Sequence, residues 1–193
     1  MKRLFDITWS IIGLVILFPL FIAIAILIKK DTKGPVFFRQ VRVGKREKDF
    51  KIFKFRSMSV DSENKGLLTV GNNDNRVTSV GFYLRKYKID ELPQLINVLL
   101  GEMSFVGPRP EVRKYVNLYT EDQKKVLQVR PGITDMASIV YRNENEILSQ
   151  QKNPEEYYIN VIIKEKIDIN LNYIKNRNFF KDILVIFKTF KVI

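Results

Sequence analysis

Asp90 and Glu91 are neighbouring carboxylates, preceded by the basic run Arg85-Lys86-Tyr87-Lys88 and followed by Leu92-Pro93-Gln94-Leu95. The apolar positions Leu92, Leu95, Ile96, Leu99 and Leu100 keep helical spacing, so a helix is expected to begin at or just after the acidic pair. Pro93 suits the first turn of a helix, where its missing N–H costs little. The carboxylates are then expected at the positive end of a helix dipole, beside cations, and both influences favour the ionised form. Such a group can act as a nucleophile, as a metal ligand, or simply as a helix cap.

Composition narrows the chemistry. The chain of 193 residues carries 33 Lys+Arg against 21 Asp+Glu, a formal net charge of +12, and has no His and no Cys. The balance points to an anionic partner: nucleic acid, anionic lipid or a phosphorylated substrate. Thiol catalysis, disulfides and imidazole bases are excluded. What remains is carboxylate, Lys, Arg and hydroxyl chemistry, or a hard cation such as Mg²⁺ held by oxygen. Two loops carry cations in stiff surroundings. Gly107-Pro108-Arg109-Pro110 pre-aims a guanidinium between two prolines, and Arg130-Pro131-Gly132-Ile133-Thr134 repeats the device with a hydroxyl. Arg suits bidentate phosphate recognition.

These residues need elements to place them. From Ile7 to Ile28 no residue is charged, a stretch long enough to cross a bilayer as a helix. Lys29-Lys30-Asp31 follows in place of a small-residue cleavage site, which argues against a signal peptide. Lys2 and Arg3 precede the segment, so both ends are basic, and Pro19 near its middle removes a helical hydrogen bond. A re-entrant hairpin and a plain span with a tolerated proline both fit. The remainder reads as one compact cytosolic unit. Gly34-Pro35 opens it, Val36-Phe37-Phe38 and Phe50-Lys51-Ile52 read as strands around a basic turn, and Asp61 to Asn75 reads as a polar loop. Thr78 or Ser79 is expected to cap a helix running to about Lys88, and Gly101 to end the next one. Near the C-terminus, Phe179, Ile183, Ile186, Phe187 and Phe190 share a helical face with Lys181, Lys188 and Lys191 mostly off it. That helix suits a membrane interface, or the core of the domain.

Read in order, six blocks carry a family resemblance: Lys2-Arg3-x-x-Asp6, Gly34-Pro35-Val36-Phe37-Phe38, Lys54-Phe55-Arg56-Ser57-Met58, Asp90-Glu91-Leu92-Pro93-Gln94-Leu95, Ser104 to Pro110, and Arg130 to Thr134. From Lys2 to about Asn143 the chain resembles the bacterial sugar transferases, the monotopic phosphoglycosyl transferases. The resemblance implies transfer of a sugar-1-phosphate from a nucleoside diphosphate sugar, with UDP the expected nucleotide, to undecaprenyl phosphate, starting glycan assembly. It also implies a re-entrant membrane helix broken at Pro19. The fold class expected is α+β: residues 1–30 as the membrane helix, and residues 31–193 as a cytosolic, largely helical domain with a short sheet and an amphipathic C-terminal helix. Such a protein lies on the inner membrane with its domain on the cytoplasmic face, in contact with membrane lipid. Two departures stand out. Phe18 takes the place of the Ser that members often carry before the membrane proline, and Asp135-Met136-Ala137-Ser138 replaces the frequent Gly-Trp continuation.

By this resemblance Asp90 is the nucleophile and Glu91 a catalytic carboxylate that binds Mg²⁺. Arg85 is placed for the lipid phosphate or the transferred phosphate. Lys54, Arg56, Arg109 between Pro108 and Pro110, Arg130 and Arg142 are candidates for the remaining anionic oxygens. A non-catalytic, membrane-tethered module would explain the charge and the anchor but does not require the Asp-Glu pair. A nucleic-acid binder would spread its cations in a stripe with stacking aromatics; here they cluster on proline-rich loops and a carboxylate pair, so no nucleic acid is expected.

Overall fold

The computed structural model describes the chain except residues 61, 63–65, 67, 69, 71–73 and 193. Most of the loop expected between Asp61 and Asn75 therefore lies outside the described residues. The fold is mixed: nine labelled helices among the described residues and two separate strand pairs, where one short sheet was expected.

Helix α1 (Lys2–Asp31) is the long apolar element, 30 residues with charge only near its two ends. Its length and composition suffice to cross a membrane. It is also part of the packed body. Asp6, Ser10, Ile24 and Ile28 are buried, with Gly13, Leu17 and Phe21 partly so, a stripe repeating every three or four residues. Gly13 lies against α3 (Gln94–Leu100) so closely that a Cβ there would meet Leu95 Cδ1 at 3.0 Å. Near the other end Ile24 and Ile28 pack with Phe55 and Leu84, and Phe21 meets the Phe55 ring edge-on at 5.0 Å. Between these two docked arms the helix turns its side chains outward: Val15 is 69% exposed, Ile16 70% and Phe18 62%.

The basic residues at the start of α1 are structural. Lys2 Nζ donates to Val106 O at 2.8 Å and to Asp182 Oδ2 at 2.7 Å. The Arg3 guanidinium donates to Val98 O and Leu99 O, which are end-of-helix carbonyls of α3. Asp6, 2% exposed, accepts from Ser104 Oγ and from Phe105 N. A lone buried carboxylate would be costly; these two donors offset that cost.

After α1, strands β1 (Phe37–Val43) and β2 (Asp49–Phe55) form an antiparallel pair in the register Phe37↔Phe55 to Val43↔Asp49. Both are longer than the sequence suggested, because pairing extends each past the apolar run. Helix α2 (Ser79–Lys86) is capped by Thr78, whose hydroxyl accepts from Gly81 N at 3.0 Å. A 3-10 turn (Ile89–Glu91) leads into α3 (Gln94–Leu100), which Gly101 ends. Strands β3 (Ser104–Val106) and β4 (Gly132–Thr134) pair in parallel, a feature the sequence reading did not anticipate.

The C-terminal half is helical: α4 (Arg113–Val116), α5 (Met136–Val140), α6 (Glu144–Ser149), α7 (Pro154–Tyr157), α8 (Ile163–Asn176) and α9 (Phe179–Val192). Its core joins Val112, Tyr115, Val126, Leu148, Tyr158 and Ile162 to Ile163 and Ile167 of α8. Helix α9 docks through Asp182, Val185 and Thr189, the last sharing a 2.6 Å hydrogen bond with Thr134. Phe180, Leu184, Phe187 and Phe190 point away from the body. Lys181, Lys188 and Lys191 are exposed as well, so the outward surface of α9 mixes large apolar side chains with cations.

Candidate functional site

Three elements place the carboxylate pair. Lys88 adopts a left-handed conformation (φ 54), which turns the chain sharply out of α2 and into the 3-10 turn that holds Asp90 and Glu91. Pro93 is the N-cap residue of α3, one position earlier than the expected first turn, and neither carboxylate caps that helix. Strand β2 supplies the facing wall. Asn97 of α3 fixes it by accepting from Phe53 N at 2.8 Å and donating to Lys51 O at 2.9 Å, which sets the next residue, Lys54, against the pair.

Glu91 is the electrostatic centre. Lys54 Nζ lies 2.8 Å from its Oε1. Arg109 clasps the same carboxylate with both terminal nitrogens, NH1 reaching Oε2 at 3.1 Å and NH2 reaching Oε1. Burial pushes the Glu91 carboxyl up, but the Arg109 guanidinium and the Lys54 ammonium outweigh it and hold the group well below the usual carboxylate range. Glu91 in turn keeps Arg109 firmly protonated, while burial draws the Lys54 ammonium down.

Asp90 stands in a different field. It is 5% exposed, and its Oδ1 is buried without a hydrogen-bond partner among the described residues. Burial pushes its carboxyl above the ordinary value; Lys54 opposes this, Glu91 adds to it, and Arg85 and Lys88 oppose it more weakly. The sequence reading expected both carboxylates to be favoured in the ionised form. For Asp90 that expectation is corrected, because desolvation of a side chain turned into the body outweighs cations that a local reading counts at full strength. Two adjacent carboxyls are thereby pushed in opposite directions, the pattern of groups with divided chemical roles.

The remaining predicted cations divide by place. Arg109 joins the pair directly, and the half-buried Arg85 acts on Asp90 through its charge. Pro108 and Pro110 are buried on either side of Arg109. Arg56 is buried and donates to the carbonyls of Thr32, Lys33 and Pro35, tying the connection that follows α1 to the end of β2. Arg130 Nε donates to Gly101 O at 2.9 Å, beyond the end of α3, and Arg142 is exposed. The structure therefore gathers Lys54, Arg85 and Arg109 around Asp90-Glu91, and gives Arg56 and Arg130 backbone partners elsewhere. Asp135 was noted only as a departure, yet it is 1% exposed and accepts from Arg109 N at 3.0 Å. An Asp three residues before a Ser at a helix start was a legible cap signal.

Among the described residues no three carboxylates cluster to cage a metal. The donors fit magnesium all the same: the unpartnered Asp90 Oδ1 is an available hard oxygen, and Mg²⁺ uses one or two carboxylates with substrate phosphates and water completing its shell. In Glu91, Oε1 already accepts from both Lys54 and Arg109, whereas Oε2 accepts from Arg109 alone and keeps a further lone pair.

The sequence itself has known relatives. Residues 1–193 match the family described as bacterial sugar transferase. The chain is 40% identical, over 195 residues, to a UDP-N-acetylgalactosamine-undecaprenyl-phosphate N-acetylgalactosaminephosphotransferase of Aeromonas hydrophila, with 100% of this chain and 43% of the relative covered. It is 38% identical, over 196 residues, to a UDP-glucose:undecaprenyl-phosphate glucose-1-phosphate transferase of Klebsiella pneumoniae, covering 97% of this chain and 39% of that protein. An uncharacterized sugar transferase of Bacillus subtilis is 38% identical over 186 residues, with 96% and 83% covered. The chain thus spans about two fifths of the first two relatives.

Proposed function

We propose, from the premise that the chain belongs to the bacterial sugar transferase family, that it transfers a sugar-1-phosphate from a nucleoside diphosphate sugar to undecaprenyl phosphate. The observation that carries this reading is the divided carboxylate pair, with Glu91 neutralised by Lys54 and Arg109 and Asp90 holding an unpartnered oxygen beside it. In this reading Asp90 attacks the phosphorus next to the sugar. The bond from that phosphorus to the bridging oxygen breaks, and nucleoside monophosphate leaves with the electron pair. The product on the enzyme is an acyl phosphate, reactive enough to pass its group on. The phosphate of undecaprenyl phosphate then attacks the same phosphorus, releasing the Asp90 carboxylate. Arg109 and Lys54 offset the charge of the diphosphate, and Arg85 faces the transferred group. Magnesium, when bound by Asp90 or Glu91 oxygen, would neutralise further diphosphate charge. UDP is the proposed nucleotide, matching the donors named for the relatives.

The test is a panel of nucleotide sugars incubated with undecaprenyl phosphate and Mg²⁺, reading nucleoside monophosphate. One donor is expected to release it, with loss of the signal in excess EDTA. Release from none of the panel would sink the reading, and full turnover in EDTA would remove the metal from it.

The same reading places residues 1–30 in the cytoplasmic leaflet of the inner membrane, with both ends and the domain of residues 31–193 on the cytoplasmic side. Its support is that Lys2, Arg3 and Asp6 bond to β3 and α3, that Ile24 and Ile28 pack on β2 and α2, and that the outward-facing stretch lies between them around Pro19. The apolar outer face of α9 would rest on the same membrane surface. Because the chain lacks Cys, Leu4→Cys and Arg46→Cys can each report one side. Both are expected to react only with reagent reaching the cytoplasmic face. Labelling of Leu4→Cys from the periplasm alone would restore a plain span.

A further inference from the structure

We propose that Asp135, supported by Asn170, is a positioning residue that fixes the reach of Arg109 onto the anionic donor. This rests on the function proposed above and adds a residue to it. In Pro108-Arg109-Pro110 the prolines have no N–H, so Arg109 N is the sole backbone donor of the triplet. It donates to Asp135 Oδ2 at 3.0 Å. The same oxygen accepts from Asn170 Nδ2 at 2.8 Å, and Asp135 Oδ1 accepts from Ser138 N at 2.6 Å. One carboxylate thus joins the Arg109 loop, the start of α5 and the middle of α8.

The strand pair beneath leaves the loop little freedom of its own. Gly107 N donates to Thr134 O and Gly132 N to Pro108 O. A Cβ on Gly107 would meet Arg130 O at 2.4 Å, and one on Gly132 would meet Gly107 N at 2.2 Å, so the two backbones pass closer than any other residue permits. Gly107 and Gly132 set the height of the loop; Asp135 sets its twist at Arg109.

A cap alone does not account for this residue. Asn or Ser would cap α5 about as well as Asp, without burying a charge. Asp135 is 1% exposed, and its hydrogen bonds come from backbone N–H groups and an amide, with no cationic side chain among them. Its charge also helps hold the Arg109 guanidinium protonated from behind while Glu91 does so from in front. An incoming diphosphate can then draw Arg109 from Glu91 by side-chain rotation, with the backbone held still.

The test is a double-mutant cycle on the full chain in lipid nanodiscs, using the nucleotide sugar that supports wild-type turnover. Asp135→Asn keeps an oxygen for Ser138 N but turns an NH₂ toward Arg109 N. It is expected to raise the donor KM about tenfold, the scale of one buried donor left unmade, with kcat less affected. In an Arg109→Ala background the same change is expected to add nothing. Additive losses in the double variant would reduce Asp135 to a structural cap and overturn the proposal. If Asp135→Asn fails to fold, Asn170→Ala removes only the brace from α8 and should give the same pattern at smaller size; additivity there overturns it equally. A wild-type chain that turns over no donor defeats the function, not this inference. Amide hydrogen exchange at Arg109 then decides: unchanged protection in Asp135→Asn overturns it.

Discussion

Asp90→Asn is expected to abolish sugar-phosphate transfer, by roughly four to six orders of magnitude, the scale on which the loss of a covalent nucleophile is felt. An amide cannot form an acyl phosphate, so labelling of the enzyme by donor in the absence of lipid acceptor should vanish as well. Stability should not fall with it. Burial raises the Asp90 carboxyl in the folded chain, so its contribution to stability is complete below the unfolded value and is lost as pH rises through the folded one. At neutral pH the folded wild type bears a poorly solvated charge that Asn lacks, and the melting temperature of Asp90→Asn should equal or exceed that of the wild type. The same shift predicts that wild-type activity falls on acidification with a midpoint above that of an exposed aspartate. Mass spectrometry of the peptide containing Asp90, after incubation with donor alone, is the measurement. A phospho-sugar adduct that persists in Asp90→Asn and disappears in Glu91→Gln would exchange the two roles. Fast transfer with no adduct on either would favour direct attack by the lipid phosphate.

Glu91→Gln should do the opposite to the fold. It leaves Lys54 and Arg109 facing each other without the anion they share. Removing one partner of a fully buried pair costs about 3–5 kcal/mol, and about 2–4 kcal/mol is expected here because Arg109 keeps contact with water. The linkage sign follows from the depressed carboxyl: this stability is present above the unfolded value and is lost as pH falls through the folded one. The gap in melting temperature between wild type and Glu91→Gln should therefore be widest at neutral pH and close only in strong acid. The covalent adduct should still form, with turnover down about 10²-fold, in the range of losing one preorganised charge contact. The half-saturating Mg²⁺ concentration should rise. An unchanged Mg²⁺ requirement with an unchanged melting temperature would leave Glu91 neither ligand nor anchor.

Much of the site could be read from the sequence because its signals are local. The carboxylate pair at the entry to a helix, the stop at Gly101, the Thr78 cap and the proline-flanked Arg109 are all set by residues within one turn of each other. The pairing of Lys54 with Glu91 spans 37 positions and depends on Asn97 holding β2 to α3, which no local pattern announces. Arg56 shows the reverse failure. Its neighbours resemble a binding motif, but the carbonyls left open where α1 ends compete for the same guanidinium and hold it. Lys2 and Arg3 looked like topological charge and turned out to be hydrogen-bond donors to the body. The raised Asp90 carboxyl was out of reach for the same reason. Proximity to cations is written in the sequence, whereas exclusion of water is a property of the packed chain.

The two faces of α1 carry separable duties, and that matters to anyone wishing to handle this protein without detergent. Removal of residues 1–31 would strip Phe55 and Leu84 of their apolar cover, take away the Arg3 donors that hold Val98 O and Leu99 O, and leave Ser104 Oγ without the Asp6 carboxylate it donates to. The hydrophobic wound left behind would invite aggregation. Val15, Ile16 and Phe18 face only outward, together with Leu4 and Ile26. A water-soluble derivative is therefore reached by recolouring that outer stripe with Glu and Lys while leaving Asp6, Ser10, Gly13, Phe21, Ile24 and Ile28 untouched. The helix proposed to meet lipid on its outer side is, on its inner side, a core helix of the body.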